Sequence, residues 1–297
     1  MKRIATIGFF DGVHGGHRYL FEQLSKIGAA RGLEPLIVTF EQHPRTVLQE
    51  DYVPKLITTT EERRALLGEF GEVLMLDFAA IQGLTAEQFM VRLKEEYDVE
   101  VLLMGYDHRF GSDGLRDSEA YQQIGKAVGI EVLVMGEYEQ GAQHVSSTEI
   151  RLALEQGDIE KANALLERSY AITGTVVHGK GLGRTIGFPT ANVQSEPLVI
   201  VPKAAVYEVK VKGERLKDEG VNELTNERVS ELAIRGMCNI DKKGIIEVHI
   251  PGYSGDLYGK TITIEFVRFV REEKRFETLD KLREQIKADV DSILHRG

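Results

Sequence analysis

Near Ser169-Tyr170 the apolar residues of this chain change their spacing, and the change divides it into two parts. Upstream, short apolar runs alternate with stretches of helical periodicity. Ile4–Ile7, Leu36–Phe40, Val73–Phe78, Val101–Met104 and Glu131–Met135 read as strands. Helices are predicted over Thr60–Phe70, with Thr60 as N-cap, and over Thr85–Tyr97 and Ser118–Val128. Such alternation predicts a doubly wound α/β domain around a parallel sheet. Downstream, Thr173–Val177, Val206–Val211, Ile245–Ile250 and Thr261–Phe269 are β-rich runs separated by Gly-rich turns. They predict a small antiparallel barrel, which an amphipathic helix over Thr278–Leu294 closes. The expected domains are 1–168 and 169–297, each long enough to bury a core.

The stretch Gly8–His17 carries the first chemistry. It joins the strand ending at Ile7 to a helix expected near His17, whose apolar residues are Leu20, Leu24 and Ile27. Gly12, Gly15 and Gly16 let the backbone turn sharply and approach a ligand. The helix that follows aims unpaired N–H groups and a positive dipole end at the same place. With His14 and His17 beside it, the turn suits a polyphosphate. Two other readings compete, a packed histidine pair and a zinc site, and zinc requires further ligands. In a doubly wound sheet ligands lie beyond the strand C-termini. The turns at 8–17, 41–45 and 105–111 all follow strands and are expected to converge there.

Composition narrows the partners. Net charge is −10, so a nucleic-acid or anionic-membrane partner is not expected, since either needs a basic face. A single cysteine, Cys238, excludes an internal disulfide and fits a reducing cytosol. Lys2-Arg3 imitates the start of a signal peptide, but Asp11 breaks the apolar run that follows. No stretch reaches about 18 apolar residues, so a membrane span is not expected either. The expected location is the cytoplasm.

Two further stretches bear on phosphate. Ser146-Ser147-Thr148-Glu149-Ile150-Arg151 opens a helix, and hydroxyls with an arginine fork at a helix start can bind phosphate or simply cap it. Gly174 through Lys180 imitates a P-loop, but Gly181 stands where a Ser or Thr is required and the setting is β-rich. Gly179, Gly181 and Gly183 around Lys180 and Arg184 still make a cationic loop fit to cover phosphates. Thr190 and Asn192 follow with hard oxygen ligands that suit Mg²⁺.

Gly8-Phe9-Phe10-Asp11-Gly12-Val13-His14-Gly15-Gly16-His17 resembles the His-x-Gly-His signature of nucleotidyltransferases, in the extended form of bacterial bifunctional riboflavin kinase/FAD synthetases. Gly174–Asn192 resembles the riboflavin kinase signature, Glu247–Ile250 the segment supplying its catalytic glutamate, and Arg271–Phe276 its flavin-proximal Arg-x-Glu-x-x-Phe. The resemblance implies a Rossmann-like nucleotidyltransferase domain followed by a six-stranded riboflavin kinase-like barrel. It implies that riboflavin becomes FMN and FMN becomes FAD, with ATP as co-substrate and Mg²⁺ as cofactor. Residue by residue, it places Gly8, Phe9, Asp11, Gly12, Asp107, Arg109, Ser147, Thr148 and Arg151 about ATP, with His14 and His17 on its phosphates and the departing pyrophosphate. In the second half Gly179, Lys180, Gly181, Gly183 and Arg184 cover ATP, Thr190 and Asn192 hold Mg²⁺, Glu247 takes the riboflavin 5′-hydroxyl proton and Arg271 assists at the flavin. Asp241–Gly244 is shorter than the family's corresponding loop, which leaves a reading as FAD synthetase with a degenerate kinase half. A flavin carrier without turnover is the third reading.

Overall fold

The computed structural model describes residues 1–106, 108–136, 139–140, 143–179, 181–213 and 233–295. Asp107, Lys180 and most of the polar stretch 212–228 therefore lie outside the described residues. The chain divides into two compact units, Met1–Ser147 and Thr148–Gly297.

The first unit runs β1 (Arg3–Ile7), α1 (Gly15–Arg31), β2 (Glu34–Phe40), α2 (Pro44–Leu48), α3 (Thr60–Gly68), β3 (Glu72–Leu76), α4 (Phe78–Ile81), α5 (Ala86–Tyr97), β4 (Val99–Met104), α6 (Ser118–Val128) and β5 (Glu131–Val134), followed by a two-stranded ribbon of β6 (Glu139–Gln140) and β7 (Gln143–His144). Strands β1 to β5 form a parallel sheet in the order β3-β2-β1-β4-β5. Successive side chains of a strand point to opposite faces. Ala5, Ile7, Val38 and Leu102 accordingly build one core. Ile4, Ile37, Val101 and Leu103 build another. The chain progresses from β1 in one direction and from β4 in the other. Their C-terminal ends thus form the switch point at which such sheets take ligands.

Local chemistry corrects two expectations. Thr59, not Thr60, caps α3: its hydroxyl accepts from the Glu62 amide and the Glu62 carboxylate accepts in return from the Thr59 amide, a capping box. The strand predicted to reach Phe78 stops at Leu76, because Asp77 turns its carboxylate onto the Ala79 amide and starts α4.

The second unit comprises α7 (Ser147–Gln156, all but its first residue), α8 (Ile159–Leu166), β8 (Tyr170–Val177), α9 (Leu182–Thr185), β9 (Ala191–Ser195), β10 (Ala205–Lys212), β11 (Ile234–Ile240), β12 (Ile246–His249), β13 (Thr261–Glu272) and α10 (Leu279–Leu294). The six strands close into an antiparallel barrel, β10-β11-β12-β9-β8-β13. Strands β9 and β11 had no apolar run to announce them. The barrel core includes Ile172, Val176, Val209, Val248 and Ile264, and α10 adds Val290 and Ile293 against Val206 and Met237. The short segment after Ile240 is a tight hairpin turn. The Asp241 carboxylate accepts from the amides of Lys243 (2.8 Å) and Ile245 (2.9 Å), and Gly244 supplies a φ of +75°.

Candidate nucleotide sites

The first site begins where β1 ends. Gly8 still donates to the Val38 carbonyl at 3.0 Å. The backbone then passes through positive φ at Phe10 (56°), Gly12 (80°) and Val13 (44°). Left-handed backbone at a β-branched residue costs energy and persists only where the surroundings impose it. Phe10 and Val13 are both buried in the core beneath α1, and that burial offsets the strain. The bend delivers His14 to the N-cap of α1, yet its side chain does not cap the helix. Its ring instead stacks on His17, centroids 3.6 Å apart and planes inclined by 20°.

A cavity of about 320 Å³ opens here at the switch point, with Gly8, His14, His17, Gly105, His108 and Ser147 among its walls. Burial above all, then the nearby charges of His14 and His108, holds the His17 imidazole well below its ordinary range. Its Nδ1 has no hydrogen-bond partner among the described residues. The site can thus offer backbone N–H groups, a helix start and a neutral imidazole to an anion.

Not every expected residue lines the cavity. The Asp11 carboxylate does not face the cavity; it accepts from the Ile57 and Thr58 amides at 3.0–3.2 Å. The Ser147 hydroxyl donates to the Asp11 carbonyl at 3.0 Å. Arg109 is exposed and folds back onto the carbonyls of Tyr106 and His108. Phe9 packs edge-on to His43, 4.6 Å between centroids, which brings the 41–45 turn to the loop. Thr148 and Arg151 follow on α7 within the second unit. Sequence reading missed Thr58 and Arg63, both buried beneath the loop.

The second site lies on the barrel. A cavity of about 360 Å³ has Arg184, Thr190, Ala191, Val248 and Tyr258 among its walls. Asn192 and Glu247 are direct cross-strand partners on β9 and β12, so their side chains share one face; it is the face opposite to that of Ala191 and Val248, and neither residue is among the cavity walls. The Gly-rich loop closes tightly on this region. A Cβ at Gly179 would fall 2.1 Å from the Asn192 amide nitrogen, and one at Gly183 would fall 3.3 Å from the Thr190 hydroxyl. Gly181, at φ +69°, is the N-cap of α9. His249 is buried, its Nδ1 is 2.8 Å from the Pro189 carbonyl, and desolvation lowers its pKa.

Thr190 and Asn192 each carry a side-chain oxygen of the kind that suits Mg²⁺. No group of three His, Cys, Asp or Glu side chains suited to a metal occurs among the described residues. Arg271 is spoken for. Its Nε and Nη2 grip the buried Asp289 carboxylate of α10 at 2.7–3.1 Å, and Gln285 donates to the same carboxylate. Cys238 is buried, and desolvation with the nearby Glu247 charge drives its thiol far up, away from reactivity.

Comparisons with known proteins follow the same division. Residues 1–149 match the FAD synthetase family model and residues 166–296 the riboflavin kinase model. The bifunctional riboflavin kinase/FMN adenylyltransferase of Escherichia coli (strain K12) is 35% identical over 297 residues, covering 96% of this chain and 90% of that protein. Its Bacillus subtilis (strain 168) namesake is 34% identical over 304 residues, covering 97% and 90%. A crystal structure from Streptococcus pneumoniae, described as a macrolide-efflux protein, superposes with a TM-score of 0.84 at 29% identity, covering 100% of this chain and 95% of that one. Among the described residues here, no helix is long and apolar enough to cross a membrane.

Proposed function

This chain belongs to the bifunctional riboflavin kinase/FMN adenylyltransferase family, and we propose that its two sites act in turn on one flavin. Riboflavin is phosphorylated to FMN with ATP in domain 169–297, and FMN is adenylylated with a second ATP in domain 1–168. The observation that carries this is the pairing of Asn192 with Glu247 across β9 and β12 in the same chain as the His14–His17 stack. Both family matches are present, so the barrel is not read as a degenerate kinase. We also place the protein in the cytoplasm, where a lone buried thiol is at home.

In the kinase step the 5′-hydroxyl oxygen of riboflavin attacks the γ-phosphorus of ATP, and the bond to the β-phosphate oxygen breaks to release ADP. Glu247 takes the hydroxyl proton, a contribution worth about 10²–10⁴-fold. Thr190 and Asn192 would hold a Mg²⁺, which neutralises phosphate charge when bound. Arg184 and the Gly179–Gly183 loop cover the nucleotide, with Lys180 between. Arg271, held by Asp289, is assigned to the flavin side.

In the adenylyl step a phosphate oxygen of FMN attacks the α-phosphorus of ATP, and pyrophosphate leaves. No proton need move, so the residues act by placement and by neutralising charge. His14, His17, Ser147, Thr148 and Arg151 are assigned to the triphosphate, with the N–H groups at the start of α1. Gly8, Phe9, Gly12, Asp107 and Arg109 shape the nucleotide's surroundings, and Asp11 braces the loop from within.

Purified protein incubated with riboflavin, Mg²⁺ and ATP tests this by chromatography of the flavins. FMN followed by FAD is expected. FAD from supplied FMN alone restricts the chain to adenylyl transfer, and unchanged flavin defeats both assignments.

A further inference from the structure

The segment leading into α3 has no ligand-facing role in the reading above, yet it grips the phosphate loop. Thr58 is 4% exposed. Its hydroxyl accepts from the Gly12 amide at 3.2 Å and donates to the Asp11 carboxylate at 3.3 Å, while its own amide donates to that carboxylate at 3.2 Å. Ile57 packs closely enough that a Cβ on Gly12 would fall 2.9 Å from its Cγ2. Five residues beyond Thr58, the fully buried Arg63 holds Phe9 from behind, with Cζ 4.0 Å from the ring centre and Nη2 donating to the Phe40 carbonyl at 2.6 Å. At and beside these grips the backbone passes through the three left-handed residues Phe10, Gly12 and Val13. Non-glycine residues held there are strained and stay only when neighbours over-determine them. One hydroxyl does much of that, because it bridges two consecutive residues of the bend.

We propose that Thr58 is a positioning residue for adenylyl transfer. It locks Asp11 and Gly12 so that His14, two residues on, stands at the phosphate cavity rather than in a relaxed turn. The inference rests on the function proposed above. It also implies that the loop is set by a segment more than forty residues away, not by its own glycines alone.

The test uses the full chain carrying Thr58→Val or Thr58→Ser, with FMN-to-FAD and riboflavin-to-FMN rates measured on the same preparations. Valine keeps the shape and removes both hydroxyl bonds; serine keeps the bonds and removes a methyl. Thr58→Val is expected to lower kcat for FAD formation about 10–100-fold, since a displacement of about 1 Å can cost about 10². KM for ATP stays within about threefold, the signature of an interaction lost in the transition state rather than in binding. Thr58→Ser recovers most of the rate, and FMN formation is unchanged in both variants. Thr58→Val at the wild-type rate, Thr58→Ser as impaired as Thr58→Val, or equal loss of both activities overturns the inference. A wild-type chain unable to convert FMN to FAD overturns the functional reading first, and this inference with it.

Discussion

The imidazoles of His14 and His17 lie face to face, ring centroids 3.6 Å apart, at the start of the helix that follows the central strand. Two cations cannot share that spacing cheaply, and burial already disfavours protonation of His17. Below the ordinary imidazole value of 6.5 the unfolded chain therefore binds a proton that folded His17 refuses. The His17 contribution to stability is complete above pH 6.5 and is lost as pH falls towards the depressed folded value. A triphosphate reverses the preference by bringing negative charge to the ring. ATP binding near pH 6 is expected to take up protons, measured by calorimetry in buffers of different ionisation enthalpy. His17→Asn should abolish that uptake; uptake surviving in the variant would move the titrating group elsewhere.

Each activity should be separable by one substitution. Glu247→Gln keeps the size and the cross-strand place opposite Asn192 but cannot accept a proton. FMN formation should fall about 10²–10⁴-fold, with FMN-to-FAD conversion intact. His17→Ala should do the opposite, lowering FAD formation about 10²–10³-fold through lost charge stabilisation. Product profiles of the two variants settle the matter, and a variant that loses both activities breaks the two-site assignment.

The Gly-rich loop admits no side chain at one point. A Cβ on Gly183 would lie 2.2 Å from the Phe188 carbonyl oxygen, a backbone atom that cannot swing aside. Gly183→Ala should displace the turn carrying Thr190, cost about 1–3 kcal/mol through overpacking, and slow FMN formation. FAD formation from supplied FMN is the internal control.

Arg271 and Asp289 should prove interdependent. Both are largely buried, and the pair joins the last strand of the barrel to α10. Removing one partner leaves the other charge buried alone, at about 3–5 kcal/mol. Arg271→Met and Asp289→Asn should each lower the urea midpoint of the barrel, and the double variant should lose less than the sum. Strict additivity would mean the two do not interact.

The architecture was legible where one local pattern decides it. Ile4–Ile7, Leu36–Phe40 and Val101–Met104 are apolar runs broken only by Thr6 and Thr39, and all three are central strands buried on both faces. Strand β9 reads Ala-Asn-Val-Gln-Ser and β11 contains Gly236 and Asn239, so neither carries a clear apolar pattern; pairing across the barrel makes them strands. Three successive threonines, Thr58 to Thr60, precede the same two glutamates, and only geometry singles out Thr59 as the cap. The histidines and glycines of the first site were visible because their chemistry is local. The Asp11 contacts were not legible, for the converse reason. A carboxylate in a tight turn can face ligand or protein, and its partners here lie forty-six and forty-seven residues away.

Phe10 and Val13 give the bend its lasting character. Each belongs to the hydrophobic core while its backbone is left-handed, so the loop cannot relax without dragging core side chains into water. A nucleotide bound as proposed would meet a receptacle already shaped. Little of its affinity goes into ordering the protein, and more remains for the difference between bound ATP and the configuration in which pyrophosphate departs.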